Sequence, residues 1–235
     1  APTSFAGTFS LASSSTSLEF YGGTFALASA ARVSGSGTLF VTGATVSSAS
    51  SLNLDSSITP SISAGSLSLD DASGSLSLNN GLVLSGGSFS TAGTLNLSSL
   101  SMSGGTFGGS GPVSLAGNST WSAGELTGGG TLQVNSGTTL SLSGASTKYL
   151  GNRTLINLGT VNWSAGAVHL TGTSAFSNSG TFDIQGDLNW GKTTQNTGAD
   201  GNSTSFTNTA QGLLLKSSGS GSTTLGSRDA NSGRI

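Results

Sequence analysis

Two short stretches, Asn157-Leu158-Gly159-Thr160-Val161 and Asn178-Ser179-Gly180-Thr181-Phe182, share the pattern Asn-x-Gly-Thr followed by an apolar residue. They begin about 21 residues apart, and a further Asn-x-Gly-Thr begins at Asn135, about 22 residues before Asn157. A nearly constant step of this size is typical of chains built from stacked structural repeats. The pattern therefore predicts successive turns of about 21 residues that lie on top of one another.

A second repeat supports the first one. Trp121-Ser122-Ala123-Gly124 recurs as Trp163-Ser164-Ala165-Gly166, about 42 residues later, which corresponds to two of these steps. Because the two markers are independent and keep the same spacing, coincidence is a poor explanation for either of them.

Apolar residues between these marks alternate with small polar ones, as in Leu76-Ser77-Leu78, Leu95-Asn96-Leu97 and Leu140-Ser141-Leu142. Alternation with a period of two indicates short, half-buried strands, and no segment keeps the period of 3.6 that a helix requires. The sequence predicts an all-β chain, a single-stranded parallel β-helix (β-solenoid) of roughly 11 turns with almost no helix. A β-sandwich is the competing fold, but it does not require a constant step.

The organisation of the chain is expected to differ between its two halves. Residues 118–235 contain the regular turns with Asn-x-Gly-Thr corners, whereas residues 1–117 show less regular Gly-Thr or Gly-Ser marks and continue the same solenoid. At the corners we expect the asparagines to form a side-chain ladder and the glycines to supply a positive φ. The residues in question are Asn135, Asn157, Asn178, Gly137, Gly159 and Gly180.

Composition excludes several classes of function. Only 7% of residues are charged, the formal net charge is −2, and the seven Lys and Arg residues are scattered, so no nucleic-acid surface is expected. The absence of Cys excludes disulfides and thiolate metal sites. No apolar run approaches the roughly 18 residues that a membrane span needs, so no membrane insertion is expected in this segment.

At these motifs, residues 118–225 resemble the parallel β-helix repeats of large bacterial surface proteins, such as autotransporter passenger regions and filamentous-haemagglutinin-type adhesins. The likeness is carried by phrases such as Gly159-Thr160-Val161-Asn162-Trp163. It implies a structural or adhesive segment of a secreted protein at the bacterial cell surface or in the extracellular matrix. Such a stiff stalk would contact neighbouring solenoid segments or copies of itself, and assembly into fibres is left open.

Carbohydrate binding is the alternative function, with glycans as the partner. Trp121 and Trp163, two turns apart at equivalent positions, would lie roughly 10 Å from each other on one face. That spacing suits stacking on a glycan chain, although large aromatic residues also fill cores.

Evidence for catalysis is sparse, so we expect no enzyme and no cofactor. A polysaccharide-degrading β-helix needs paired carboxylates, and Asp70 and Asp71 are adjacent, which places them on opposite faces of a strand. Asp183 and Asp187 remain a weak second pair. The only histidine, His169, alternates with apolar neighbours and is expected to face solvent.

One loop faintly resembles a calcium site. Residues 196–202 carry alternate oxygen-bearing side chains but lack a closing bidentate Glu. A plain surface loop is the favoured interpretation, and calcium binding is left open.

Overall fold

The computed structural model of the protein describes residues 3–48, 53–69, 74–192, 204–226 and 228–235. These residues form β-strands without any helix, which confirms the all-β prediction. In chain order the strands are β1 Thr3–Phe5, β2 Thr8–Phe20, β3 Thr24–Leu27, β4 Arg32–Ser48, β5 Asn53–Leu54, β6 Ile58–Leu69, β7 Ser75–Leu78, β8 Leu82–Leu84, β9 Ser88–Thr91, β10 Thr94–Leu97, β11 Leu100–Met102, β12 Thr106–Gly108, β13 Val113–Leu115, β14 Ser119–Trp121, β15 Gly124–Leu126, β16 Thr131–Val134, β17 Thr139–Leu142, β18 Lys148–Gly151, β19 Thr154–Asn157, β20 Thr160–Trp163, β21 Val168–Thr171, β22 Ala175–Asn178, β23 Thr181–Gln185, β24 Asn189–Lys192, β25 Ser205–Asn208, β26 Leu213–Ser218, β27 Thr224–Gly226 and β28 Arg228–Asn231.

Three stacks of parallel strands form the faces of a β-solenoid of about ten turns, close to the predicted number. The first face contains parts of β2, β4 and β6, followed by β8, β11, β14, β17, β20, β23 and β26. The second contains β1, β3, the ends of β4 and β6, then β9, β12, β15, β18, β21, β24 and β27. The third contains the first residues of β2 and β4 with β5, and continues with β7, β10, β13, β16, β19, β22, β25 and β28.

Equivalent residues of successive turns pair one above another, and we call each such row a column. Leu142 pairs with Trp121 on one side and with Trp163 on the other, one full repeat away in each direction. The step from Ile184 to Lys216 is about half as long again as this repeat, yet the strands stay paired. Variation in turn length is thus absorbed outside the paired segments, and β23 and β26 stay in register up to a shift between Ile184 and Gln185.

The core lies along the axis of the solenoid and is built from inward columns. Leu140, Val161 and Phe182 follow one another in one such column, and all three are buried. The alternation noted in the sequence places every second side chain inside, because successive residues of a strand point to opposite faces. Burial of these columns supplies the main favourable free energy of folding.

The two halves of the chain differ in strand length. β2, β4 and β6 have 13, 17 and 12 residues and bend across corners, whereas the strands after residue 117 have three to six residues. Pairing continues across this point, since β14, β15 and β16 stack on β11, β12 and β13.

Candidate functional site

The two tryptophans proposed as a glycan platform lie in the core. They occupy one column two turns apart, as the repeat predicted. Both side chains, however, are 0% exposed, so neither ring offers a face to a ligand, and the prediction that Trp121 and Trp163 bind glycan is wrong. They stand at inward positions of their strands, and the indole Nε1 of Trp163 donates to the carbonyl of Gly166 at 2.8 Å.

The three predicted corner asparagines do not all lie in one column. Asn157 and Asn178 pair directly in the third face, but Asn157 pairs on its other side with Val134, not with Asn135. The corner after Val134 is two residues longer than the corner after Asn157, since Val134 aligns with Asn157 and Thr139 with Thr160. Asn135 therefore lies one position beyond the column, and its placement in a common ladder with the other two is wrong.

An asparagine ladder nevertheless exists, and it extends beyond Asn178 toward the end of the chain. Asn208 and Asn231 continue the column of Asn157 and Asn178. Each side-chain Nδ2 donates to the Oδ1 of the next residue in the column, at 2.7 Å from Asn157, 2.8 Å from Asn178 and 2.8 Å from Asn208. The first three of these residues are fully buried.

The ladder also binds the backbone of the corners. The second N–H of each buried amide donates to a backbone carbonyl of the next turn: Asn157 to Thr181 and Asn178 to Leu213, which begin β23 and β26, and Asn208 to Arg234, which forms a bridge with Leu213. Every donor of these amides is therefore used, which is how polar groups are accommodated in a core.

The glycines of the predicted corners serve two purposes. Gly137 has a φ of 79°, as expected for a tight corner. Gly159 and Gly180 are not in the left-handed region, so for them the expected reason was wrong. A Cβ on Gly180 would overlap the carbonyl oxygen of Gly159 one turn below, which means that close approach of stacked backbones excludes a side chain there.

Two cations are buried in the solenoid without a carboxylate partner. Lys148 is 0% exposed, and its ammonium donates to the carbonyls of Gly144, Ser146 and Ala165 at 3.0–3.2 Å. Burial lowers the pKa of Lys148 to about 8. The group thereby closes a corner whose carbonyls would otherwise lack donors.

Arg153 plays a similar role across three turns. It is 1% exposed, and its guanidinium donates to the carbonyls of Gly109, Thr127 and Thr131 at 2.7–3.1 Å. The same group lies 5.5 Å from the ring centroid of Phe107, which adds a cation–π contact. Burial lowers the pKa of Arg153, but a guanidinium still carries its charge at neutral pH.

The outward columns carry mostly small polar side chains, and one place on the second face instead combines an aromatic ring, a carboxylate and an imidazole. There Glu125, Tyr149 and His169 stand one above another in three successive turns. Beside them Gly151 pairs with Thr171, and the hydroxyl of Thr127 lies next to Gly151. We call Glu125, Thr127, Tyr149, His169 and Thr171, grouped around Gly151, the Tyr149 patch.

The geometry of the Tyr149 patch brings different chemical groups together. The Tyr149 and His169 rings meet edge to face with centroids 5.6 Å apart, and Tyr149 is 41% exposed. The point where a Cβ of Gly151 would stand lies 2.9 Å from Glu125 Oε1, 3.0 Å from Thr171 Oγ1 and 3.2 Å from Thr127 Oγ1. His169 lies on the outer face as expected, but half-buried, with Nδ1 enclosed and without a hydrogen-bond partner.

Other carboxylates serve structural contacts. Asp55 pairs with Arg32 at 2.6 Å, and Asp187 pairs with Lys216 at 2.9 Å and accepts from the backbone N–H of Gly221. These bonds hold the pKa of Asp187 below its usual value. Within the described ranges no three His, Cys, Asp or Glu side chains converge as metal ligands. Asp70, Asp71 and the proposed calcium loop 196–202 lie outside the described residues.

Comparison with protein-family models, with curated proteins and with solved structures finds no match. The part of the chain that the structure describes also contains no helix with the length and apolarity needed to span a bilayer.

Proposed function

We propose that the chain is a structural stalk segment of an exported bacterial surface or matrix protein, which holds its neighbours at a fixed separation. The observation that carries the proposal is the parallel pairing of equivalent strands on successive turns, which runs from β1 to β27 in one sheet and from β7 to β28 in the other. At about 4.8 Å per turn, ten turns give a rod roughly 48 Å long.

The interior of the rod supports a mechanical role. Hydrogen bonds from the asparagine ladder and from the buried groups of Lys148 and Arg153 join successive turns across the corners. Such bonds resist separation of one turn from the next, because an enclosed polar group that loses its partner costs about 1–3 kcal/mol.

The outer surface is consistent with an extracellular stalk. Columns such as Thr24, Thr45, Ser66 and Ser88 expose short hydroxyl side chains with little charge. A surface covered by neutral hydroxyl groups has few of the positive charges that bind nucleic acid or anionic lipid.

Spin-label distances test the stalk. The chain has no Cys, so Cys replacements of exposed serines label single sites. Ser10 and Ser217 are nine turns apart, roughly 43 Å along the axis, and Ser77 and Ser217 are six turns apart, roughly 29 Å. We expect narrow distance distributions for both pairs, with a difference of about three turns.

The shorter pair is the matched control, because it shares one label and differs only in the number of turns. Broad distributions, or separations that do not increase with the number of turns, would contradict the proposal, since a flexible or folded-back chain holds nothing at a set distance.

A further inference from the structure

The Tyr149 patch differs chemically from the other outward residues of its column. Along its column the outward residues before it are Thr45, Ser66, Ser88 and Thr106, and those after it are Gly191 and Gly226. An exposed aromatic ring, a carboxylate and an imidazole therefore stand together between hydroxyl groups on one side and bare backbone on the other.

The fold fixes the backbone position of Tyr149. Tyr149 follows Lys148, whose side chain points inward and anchors the strand through three carbonyls. The His169 ring packs at 80° to the Tyr149 ring, with centroids 5.6 Å apart, and so restricts its movement. A ring that is already ordered loses little conformational entropy when a ligand stacks on it.

The hydrogen-bonding groups around the ring are free to act on a ligand. Glu125 has no cationic partner among the described residues, whose ion pairs join Arg32 to Asp55 and Lys216 to Asp187. Because Nδ1 of His169 is enclosed, the other ring nitrogen is the one open to a ligand. The phenol of Tyr149 also forms no hydrogen bond within the described part of the chain.

We propose that the Tyr149 patch binds the pyranose ring of a neutral sugar, independently of the stalk role. A pyranose has one face of C–H groups, which stacks on an aromatic ring, and a rim of hydroxyls that both donate and accept. The Glu125 carboxylate accepts from two neighbouring hydroxyls, while His169 and the two threonines bind the rim. An anionic sugar is disfavoured because the unpaired Glu125 carboxylate repels its charge.

Nuclear magnetic resonance of selectively labelled protein tests this site directly, since the chain has one His and two Tyr residues. Tyr21, which is 79% exposed, is the internal control. The probes are the methyl pyranosides of glucose, galactose and mannose, with methyl glucuronide as the anionic comparison. We expect saturable shifts of the Tyr149 and His169 signals with at least one neutral probe, and no shift of the Tyr21 signal.

Variants separate a specific site from general surface contact. Tyr149→Ala and Glu125→Gln should each weaken binding at least tenfold as read from His169, whereas Tyr21→Ala should leave it unchanged. All three side chains point outward, so the circular dichroism spectrum of each variant should match that of the wild type. The proposal is overturned if no neutral probe gives a saturable shift, if Tyr21 shifts with Tyr149, or if the glucuronide binds more tightly than the neutral sugars.

Discussion

Replacing Asn178 by Ala interrupts the asparagine ladder at a fully buried member that bonds to a ladder amide on each side. The side chain accepts from Asn157 at 2.7 Å and donates to Asn208 at 2.8 Å and to the Leu213 carbonyl at 3.1 Å. Three hydrogen bonds are lost, each with a net value of about 1 kcal/mol, and the acceptors on Asn208 and Leu213 are left enclosed without a donor. We expect the free energy of unfolding to fall by about 3–5 kcal/mol.

Urea denaturation followed by far-ultraviolet circular dichroism measures this loss. Because long repeat arrays can depart from two-state unfolding, amide hydrogen exchange is needed beside it. The N–H groups of Thr181 and Leu213 bond to Gly159 and Gly180 next to the ladder, and both should exchange faster in the variant than in the wild type.

Asn231→Ala is the matched control, since Asn231 is an exposed member of the same column. Its loss should cost about 1 kcal/mol or less, because water replaces the missing partner. Asn178→Asp keeps the shape of the side chain but removes both donors, and it should cost at least as much as Asn178→Ala. If Asn178→Ala and Asn231→Ala differ by less than about 1 kcal/mol, the inference that ladder amides contribute through burial is refuted.

Three further predictions concern the corners and the buried cations, and the same denaturation assay tests them. Gly180→Ala should lower the free energy of unfolding by about 2–4 kcal/mol because its Cβ overlaps a backbone carbonyl. Its control is Gly129→Ala, whose Cβ meets nothing within 4 Å and which should stay within about 0.5 kcal/mol of the wild type. Equal losses for the two variants would contradict the close-approach explanation. Arg153→Met should cost about 3–5 kcal/mol, since three buried carbonyls lose their donor, and a neutral result would show that solvent reaches them. Lys148 has a pKa of about 8 when folded and 10.5 as a free side chain, so between these pH values the unfolded chain keeps a proton that the folded chain has released. The stability of the wild type relative to Lys148→Met should therefore rise between pH 7 and pH 10, on the order of 1 kcal/mol after allowance for solvent screening, and a fall would be evidence against the lowered pKa.

Much of the fold could be predicted from the sequence because stacking imposes a repeat on it. The step between Asn157 and Asn178 and the two-turn spacing of Trp121 and Trp163 both correspond to true columns. The alternation of residues in the sequence itself argued against exposed tryptophans. Trp163 shares the alternation of Val161, as Leu142 shares that of Leu140, and this parity places the indole inside.

The sequence pattern did not reveal how many residues each corner contains. Asn135 carries the same motif as Asn157, but two extra residues in its corner move it out of the column. In the opposite sense, Asn231-Ser232-Gly233 repeats the letters of Asn178-Ser179-Gly180, and this resemblance could have revealed the last member of the ladder.

The Tyr149 patch and the buried cations could not be predicted from a fixed step. Tyr149 and His169 pair at a step slightly shorter than the main repeat, and Glu125 and Tyr149 pair at a longer one, so a search at one constant spacing misses both contacts. Nothing in the local sequence marks Lys148 as buried, since its neighbours Thr147 and Tyr149 are themselves partly polar and one of its carbonyl partners, Ala165, comes from the next turn.

The asparagine ladder gives the interior of the solenoid a dipole along its axis. Each of the three amide–amide bonds in the column runs from the lower-numbered turn to the higher one, so the dipoles of the side chains add instead of cancelling. Each bond polarises the next, which strengthens the middle of the row relative to its ends. The interior of the protein is therefore polar along the axis, with its two ends electrically different, although the hydroxyl-covered exterior carries little charge.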